Sequence, residues 1–318
     1  MPDYLAYELV RHVGILGTGT IGASWATYFL AQGIPISAWD PAEGWRDRLI
    51  AFIENAWPQM ERLGVAPGAD RAAITFCDTP TAAVATAHFV QENVPEKIEV
   101  KRDLYRLIDN SLSERTVLSS STSGLIMSDL QSGFASGPRF VVGHPFNPPH
   151  LIPLVEVVAG TDTDPAAADW TIGFYKHVGK HAIRINREVP GHLANRLQAA
   201  LWREAVLAVK NDLASVEDIN AAVTQGPGLR WALMGPHMIM NLAGGKAGFH
   251  QMIEHFGPGM QSWWQTMNEN PVLKDDLVDA MAHGLAEEAG DRTIDDLEAE
   301  RDERLIRILT MLRDTERD

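Results

Sequence analysis

Cysteine, cations and long apolar runs are all scarce in this chain. A single cysteine, Cys77, stands among 318 residues. That excludes a disulfide framework and any cysteine-built zinc or iron–sulfur centre, and it leads us to expect a reducing, cytoplasmic setting. No stretch reaches the ~18 uninterrupted apolar residues that a membrane span needs, so no membrane association is expected. The opening residues, MPDYLAYELVRHVG, carry no basic segment followed by an apolar run, so no signal peptide is expected. Lys and Arg number 27 against 42 Asp and Glu, a net charge of −15. Such an excess of acid argues against non-specific binding to nucleic acid or anionic membranes. Metal-ligand spacing is missing among the histidines. His177 and His181 are four apart but straddle Gly179, a helix-end signal, and read as surface residues, so no metal is expected.

Apolar residues are plentiful at 45%, enough for a sizeable core. The length suits two domains. From residue 12 the pattern alternates strand and helix. Strands are expected at 12–16, 34–39, 74–76, 88–91 and 117–120, and helices at 21–32, 45–63, 80–85 and 96–110. Further strands are expected at 140–143 and 153–158. This alternation implies a parallel sheet covered on both faces. After residue 189 the texture turns helical, broken by the Gly and Pro clusters QGPGLRW and HFGPGM. The expected fold is α/β: a doubly wound, Rossmann-type N-terminal domain over 1–189, then an all-α domain over 190–318 for substrate binding and dimerisation. Its last helix, near 294–312, carries Glu300/Arg304 and Glu303/Arg307 four apart, the mark of a partly solvated helix.

Gly17-Thr18-Gly19-Thr20-Ile21-Gly22 matches GxGxxG between an expected strand and an expected helix. Gly17 permits a tight turn, Gly19 lets backbone approach a pyrophosphate, and Gly22 lets helix and strand pack closely. The helix start at Thr20 and Ile21 offers N–H groups to an anion. Asp40, eighteen residues beyond Gly22, closes the next strand. A carboxylate there accepts bonds from both ribose hydroxyls of NAD and repels the extra phosphate of NADP.

Two further segments lie at expected strand ends, SSSTSGL over 119–125 and GHPFNPP over 143–149, the second followed by LVEVV. Oxidation of an alcohol needs a base for the hydroxyl proton as hydride leaves carbon, and histidine suits the task. Glu156 stands in an otherwise apolar run, where a carboxylate is unfavourable unless paired. Together His144 and Glu156 suit a base and its orienting acid. A buried pair that merely holds the loop would have the same spacing.

GTGTIG, SSTSGL, GHPFNPP, LVEVV and VPGHLANR occur in the order and approximate spacing of the 3-hydroxyacyl-CoA dehydrogenase superfamily, which the chain resembles over about 11–312. The resemblance implies NAD as cofactor, His144 as catalytic base with Glu156 as partner, and Ser123 and Asn195 holding the substrate oxygen. It also implies that Glu92, in the run Gln91-Glu92-Asn93-Val94-Pro95-Glu96, lies near the nicotinamide, with Asn93 and Glu96 beside the cofactor. A homodimer through the C-terminal half is implied as well. GPGLRWALMGP, GPGMQSWWQTM and DLEAERDERL resemble the branch acting on small free acids, carnitine and gulonate among them, rather than on CoA esters. The CoA enzymes carry a Lys-rich helical insert after the second strand; here residues 41–96 contain Arg46, Arg48, Arg62 and Arg71 and no lysine.

A carnitine-like substrate is a zwitterion. Its trimethylammonium group suits an aromatic face, with Phe146, Trp231, Trp263 and Trp264 as candidates, and its carboxylate suits Arg196 or Arg230. Tryptophans in a helical domain also serve as core or as dimer interface. Neighbours such as Trp263 and Trp264 cannot share one helix face. A gulonate-type or other 3-hydroxy acid substrate stays open, as does a non-catalytic, crystallin-like NAD-binding protein.

Overall fold

The computed structural model describes residues 4–315. The described residues divide into two units, one of residues 4–195 with 304–310, the other of 196–303 with 311–315.

The first unit is built on one eight-stranded sheet. Its strands are β1 (Val13–Leu16), β2 (Ile36–Trp39), β3 (Ile74–Phe76), β4 (Phe89–Glu92), β5 (Val117–Ser120), β6 (Phe140–Pro145), β7 (Leu154–Ala159) and β8 (His181–Ile185). The order across the sheet is β3-β2-β1-β4-β5-β6-β7-β8. Connecting helices are α1 (Thr20–Ala31), α2 (Trp45–Leu63), α3 (Pro80–Val84), α4 (Ile98–Ile108), α5 (Met127–Gln131) and α6 (Pro165–His177). From β1 to β6 every pairing is parallel. The expected all-parallel sheet needs one correction, because β7 runs antiparallel to β6. Only Phe146–Pro153 joins them, too few residues for the helical crossover that parallel neighbours require.

Both faces of the inner strands are buried, so strands such as β1 are wholly apolar apart from glycine rather than alternating. Ile15 belongs to a core with Trp25, Phe29, Trp57, Phe174 and Tyr175, whereas its neighbour Leu16 joins Leu104, Tyr105, Leu118, Met127 and Phe140 on the other face. The first core is aromatic, with Trp170 stacked on Phe174 at 5.2 Å and Phe89 4.7 Å from Phe174.

A long helix, α7 (Ala194–Lys210), leads into the second unit, which is helical: α8 (Val216–Thr224), α9 (Pro227–Trp231), α10 (Pro236–Ala243), α11 (Gly248–Thr266), α12 (Asp275–Ala289) and the rest of α13 (Ile294–Thr315), whose residues 304–310 count with the first unit. Within it α8 packs on α12, where a side chain at Gly284 would press on Val216, and α10 packs on α11. QGPGLRW does break the chain, between α8 and α9. HFGPGM does not, since α11 runs through Pro258. The carbonyl that Pro258 leaves without its helical donor belongs to exposed Glu254, where water can satisfy it.

Candidate active site

The glycine turn is shaped as the motif requires. Gly17 has φ +81°, and a Cβ there would lie 2.8 Å from the Asn93 backbone. A Cβ on Gly22 would fall 1.9 Å from the Gly17 carbonyl oxygen, so α1 can begin this close to β1 only without a side chain. Around Gly19, by contrast, there is open space. Gly19 caps α1 without any side-chain acceptor, leaving the first helical amides at Thr20 and Ile21 at an exposed helix start. Asp40 follows β2 and is fixed by its neighbours. Its Oδ2 accepts from the Thr18 amide at 2.7 Å and the Thr18 hydroxyl at 3.3 Å, and its Oδ1 from the Ala42 amide at 2.8 Å. Oδ1, with one donor, keeps acceptor capacity for a ribose hydroxyl. This cradle fits a dinucleotide. Asn93 borders it, donating its amide N–H to the Leu16 carbonyl at 2.7 Å and accepting from the Ser121 hydroxyl at 2.6 Å.

Glu92 and Glu96 divide differently from expectation. Glu92 is the last residue of β4, and its carboxylate is sealed. Lys101 Nζ and the Val94 amide donate to Oε1 at 2.8 and 2.7 Å; Tyr105 and Ser120 hydroxyls donate to Oε2 at 2.8 and 2.6 Å. With four donors and no exposure it serves the β4–β5 scaffold. Glu96 is the half-exposed acid of this loop. Its Oε1 accepts from the Thr122 hydroxyl at 2.6 Å and from the amides of Ser123 and Gly124 at 2.9 Å each. Burial raises its pKa, but these donors and Lys101 outweigh it and hold the group below the usual range. Glu96 therefore shapes the loop that presents Ser123.

His144 and Glu156 are direct cross-strand partners on β6 and β7. His144 Nδ1 lies 2.8 Å from Glu156 Oε2. The other carboxylate oxygen accepts from the amides of Leu193 and Ala194, both at 2.9 Å, at the start of α7. Burial raises the Glu156 pKa, but the His144 bond and the two amides together hold it below the ordinary value. A permanent carboxylate at Nδ1 makes Nδ1 the protonated nitrogen and turns Nε2 into the basic one. Phe146 stands against His144, ring centroids 5.5 Å apart. The Asn195 side-chain N–H donates to the Ser123 carbonyl at 3.2 Å, so Ser123, His144, Glu156 and Asn195 all belong to the first unit around the ends of β5 and β6.

The pairing carries a stability consequence. A carboxylate whose folded pKa is depressed stabilises the fold above its unfolded pKa, and that gain is lost as pH falls through the folded value. Glu156→Gln is therefore expected to unfold more easily at neutral pH, by roughly 1.5–3 kcal/mol for the lost charge-assisted bonds. The gap should shrink once the solution is more acidic than the ordinary glutamate range. Thermal melts of both proteins across that range check it; a gap independent of pH contradicts it.

The remaining candidates lie in the second unit. Arg196 and Arg230 are exposed, Trp231 ends α9, and Trp263 and Trp264 on α11 are 65% and 63% exposed. Neither α11 tryptophan is core of that unit. Two features escaped sequence reasoning. Lys180 is buried, with Nζ donating to the Pro149 and Ile152 carbonyls and lying 3.7 Å from the Tyr28 ring centroid, and so pins the loop after His144. His192, inside VPGHLANR, bonds the Thr122 carbonyl. Among the described residues no His, Cys, Asp and Glu group could hold a metal ion, and no helix is long and apolar enough to cross a membrane.

Comparison with known proteins places this geometry. Residues 12–189 match the family model "3-hydroxyacyl-CoA dehydrogenase, NAD binding domain", and 191–291 match "3-hydroxyacyl-CoA dehydrogenase, C-terminal domain". An L-carnitine dehydrogenase of Streptomyces griseus is 52% identical over 304 residues, 96% of this chain and 90% of that protein. One from Oceanobacillus iheyensis is 41% identical over 96% of this chain and 99% of its own length. Among solved structures, an NAD+-dependent 5-formyl-3-hydroxy-2-methylpyridine 4-carboxylic acid 5-dehydrogenase matches with a TM-score of 0.83 at 28% identity, covering 96% of this chain and 99% of that one. The chain belongs to the 3-hydroxyacyl-CoA dehydrogenase family and is an NAD-dependent 3-hydroxy acid dehydrogenase.

Proposed function

We propose that the chain oxidises the 3-hydroxyl of L-carnitine to 3-dehydrocarnitine, with His144 as general base. The observation that carries the chemistry is the His144–Glu156 pair, 2.8 Å apart, beside the Ser123 loop in the unit that holds the glycine cradle. NAD bound at Gly17, Gly19, Thr20, Ile21, Gly22 and Asp40, with Asn93 alongside, supplies the hydride acceptor. Ser123 and Asn195 hold the substrate oxygen. His144 Nε2 takes the hydroxyl proton, and Glu156 stabilises the imidazolium that results.

The substrate assignment is supported by the relatives, which carry the name L-carnitine dehydrogenase at up to 52% identity. Residues 41–96 agree, since they hold four arginines but no counterpart of the Lys-rich insert of the CoA enzymes. Phe146 and the exposed Trp231, Trp263 and Trp264 are candidates for the trimethylammonium group, and Arg196 and Arg230 for the carboxylate. Large exposed apolar side chains in the second unit, Trp202, Leu213, Leu229, Leu242 and Phe256 among them, support a homodimer formed through it.

The cation is the testable part. An aromatic face adds about 0.5–2 kcal/mol, roughly 2- to 30-fold in affinity. The enzyme is expected to show a KM lower by that factor for L-carnitine than for the neutral isostere in which tert-butyl replaces trimethylammonium. Truncating the contacting aromatic residue should remove the difference. Equal kcat/KM for the two compounds in the native enzyme overturns the aromatic-face reading.

A further inference from the structure

The five residues from Gly191 to Asn195 grip the site from two sides. Gly191 and His192 both have left-handed backbone, φ +76° and +49°, a conformation uncommon outside glycine that asparagine, aspartate and histidine adopt more readily than other residues. After this bend the successive amides of Leu193 and Ala194 converge on Glu156 Oε1. The same stretch reaches the Ser123 loop twice. The His192 ring nitrogen Nε2 lies 3.1 Å from the Thr122 carbonyl, and the Asn195 amide bonds the Ser123 carbonyl. The His192 ring also lies against His144, centroids 5.2 Å apart.

His192 is 2% exposed, and its Nδ1 has no hydrogen-bond partner. A carbonyl only accepts, so the Thr122 contact makes Nε2 the protonated nitrogen and leaves Nδ1 a bare, buried acceptor. Such an acceptor destabilises the fold. An apolar ring would fill the space without that penalty. The property imidazole adds here is the donor to Thr122, which makes a packing role alone a poor account of this residue. Burial lowers the His192 pKa. The Thr122 bond opposes this, the His144 charge adds to it, and Glu156 and Glu96 pull the other way; the net direction is down, so the ring is neutral at neutral pH.

We propose that His192 is a positioning residue that ties the Thr122–Ser123 loop to the His144–Glu156 pair, fixing the donor for the substrate oxygen within reach of the base. The proposal rests on His144 being that base. Three variants test it. His192→Asn tolerates the left-handed backbone but is too short to reach Thr122. His192→Phe fills the space without a donor. His192→Gln returns an N–H near the position of Nε2. Turnover is read with L-carnitine and NAD, and amide hydrogen exchange is read over residues 122–125.

In the Asn and Phe variants kcat should fall about 10- to 100-fold, the scale of a small misplacement of reacting groups, with KM for NAD within about threefold of native. Exchange over 122–125 should quicken in both, whatever the substrate. The Gln variant should recover native exchange and kcat within about threefold. Native kcat and native exchange in the Asn variant overturn the proposal, as does a Gln variant no better than Phe. If Phe does not fold, Asn carries the test. His144→Gln, measured alongside, separates the failures. If it keeps turnover, the base assignment falls; if it is inactive while the Asn variant is native, only the role of His192 falls.

Discussion

His144→Gln is expected to lose about 10²–10⁴-fold in kcat, the usual contribution of a positioned general base, or roughly 2.7–5.4 kcal/mol of barrier. Its NADH affinity should stay native, because the glycine cradle is built from β1, α1, Asp40 after β2 and the start of the loop after β4, whereas His144 stands on β6 against Glu156. The expectation follows from Glu156. That carboxylate is held ionised by His144 and by the two amides at the start of α7. An ionised acid at Nδ1 makes Nε2 the proton acceptor and compensates the charge once the proton has moved. Glutamine approximates the size of histidine but supplies no base. Stopped-flow turnover together with NADH fluorescence titration checks both halves. Near-native kcat in the variant would remove His144 from the chemistry.

The second large effect concerns the cofactor. The native enzyme should favour NAD over NADP by at least about tenfold in kcat/KM, equivalent to about 1.4 kcal/mol, and Asp40→Asn should narrow the gap. Asp40 is oriented by Thr18 and Ala42, with acceptor capacity left on Oδ1. An NADP 2′-phosphate would meet this anion at close range. Asparagine keeps the shape and an acceptor but removes the repulsion, so the expected change is mainly a gain with NADP. Equal use of both cofactors by the native protein would contradict the role given to Asp40.

The parts legible in the sequence were those whose signals are local. GTGTIG, the strands on either side of it and Asp40 fall within about thirty residues, and Gly17 and Gly22 have steric reasons seen again in the structure, the 1.9 Å approach at Gly22 above all, while the space around Gly19 is open. Glu156 was legible as an acid in an apolar strand, because its burial needs a partner, and β6–β7 register supplies His144 as that partner. Other features were hidden for physical reasons. β8 is an edge strand whose five residues bury only Ala182, so no apolar periodicity marks it. α6 did carry a signal, Asp164 capping a helix with Pro165 in its first turn, though its faces are too uniformly apolar for a clean period. Glu92 and Glu96 are four apart with similar neighbours. Only the point where β4 ends decides that Glu92 is sealed under Lys101 and Tyr105 while Glu96 caps the Ser123 loop. Gly191 marked half of the left-handed bend, but nothing local marked His192, whose ring meets the Thr122 carbonyl seventy residues away.

One measurement bears most directly on the account as a whole: initial rates of NADH formation by the purified enzyme with NAD and, separately, L-carnitine, D-carnitine, L-gulonate, 3-hydroxybutyrate and 3-hydroxybutyryl-CoA. The account predicts the highest kcat/KM with L-carnitine, above that with the CoA ester, since residues 41–96 lack the Lys-rich insert of the CoA enzymes. A preference for 3-hydroxybutyryl-CoA or for L-gulonate would contradict the substrate assignment, and no NADH with any hydroxy acid would contradict the catalytic reading of His144 and Glu156.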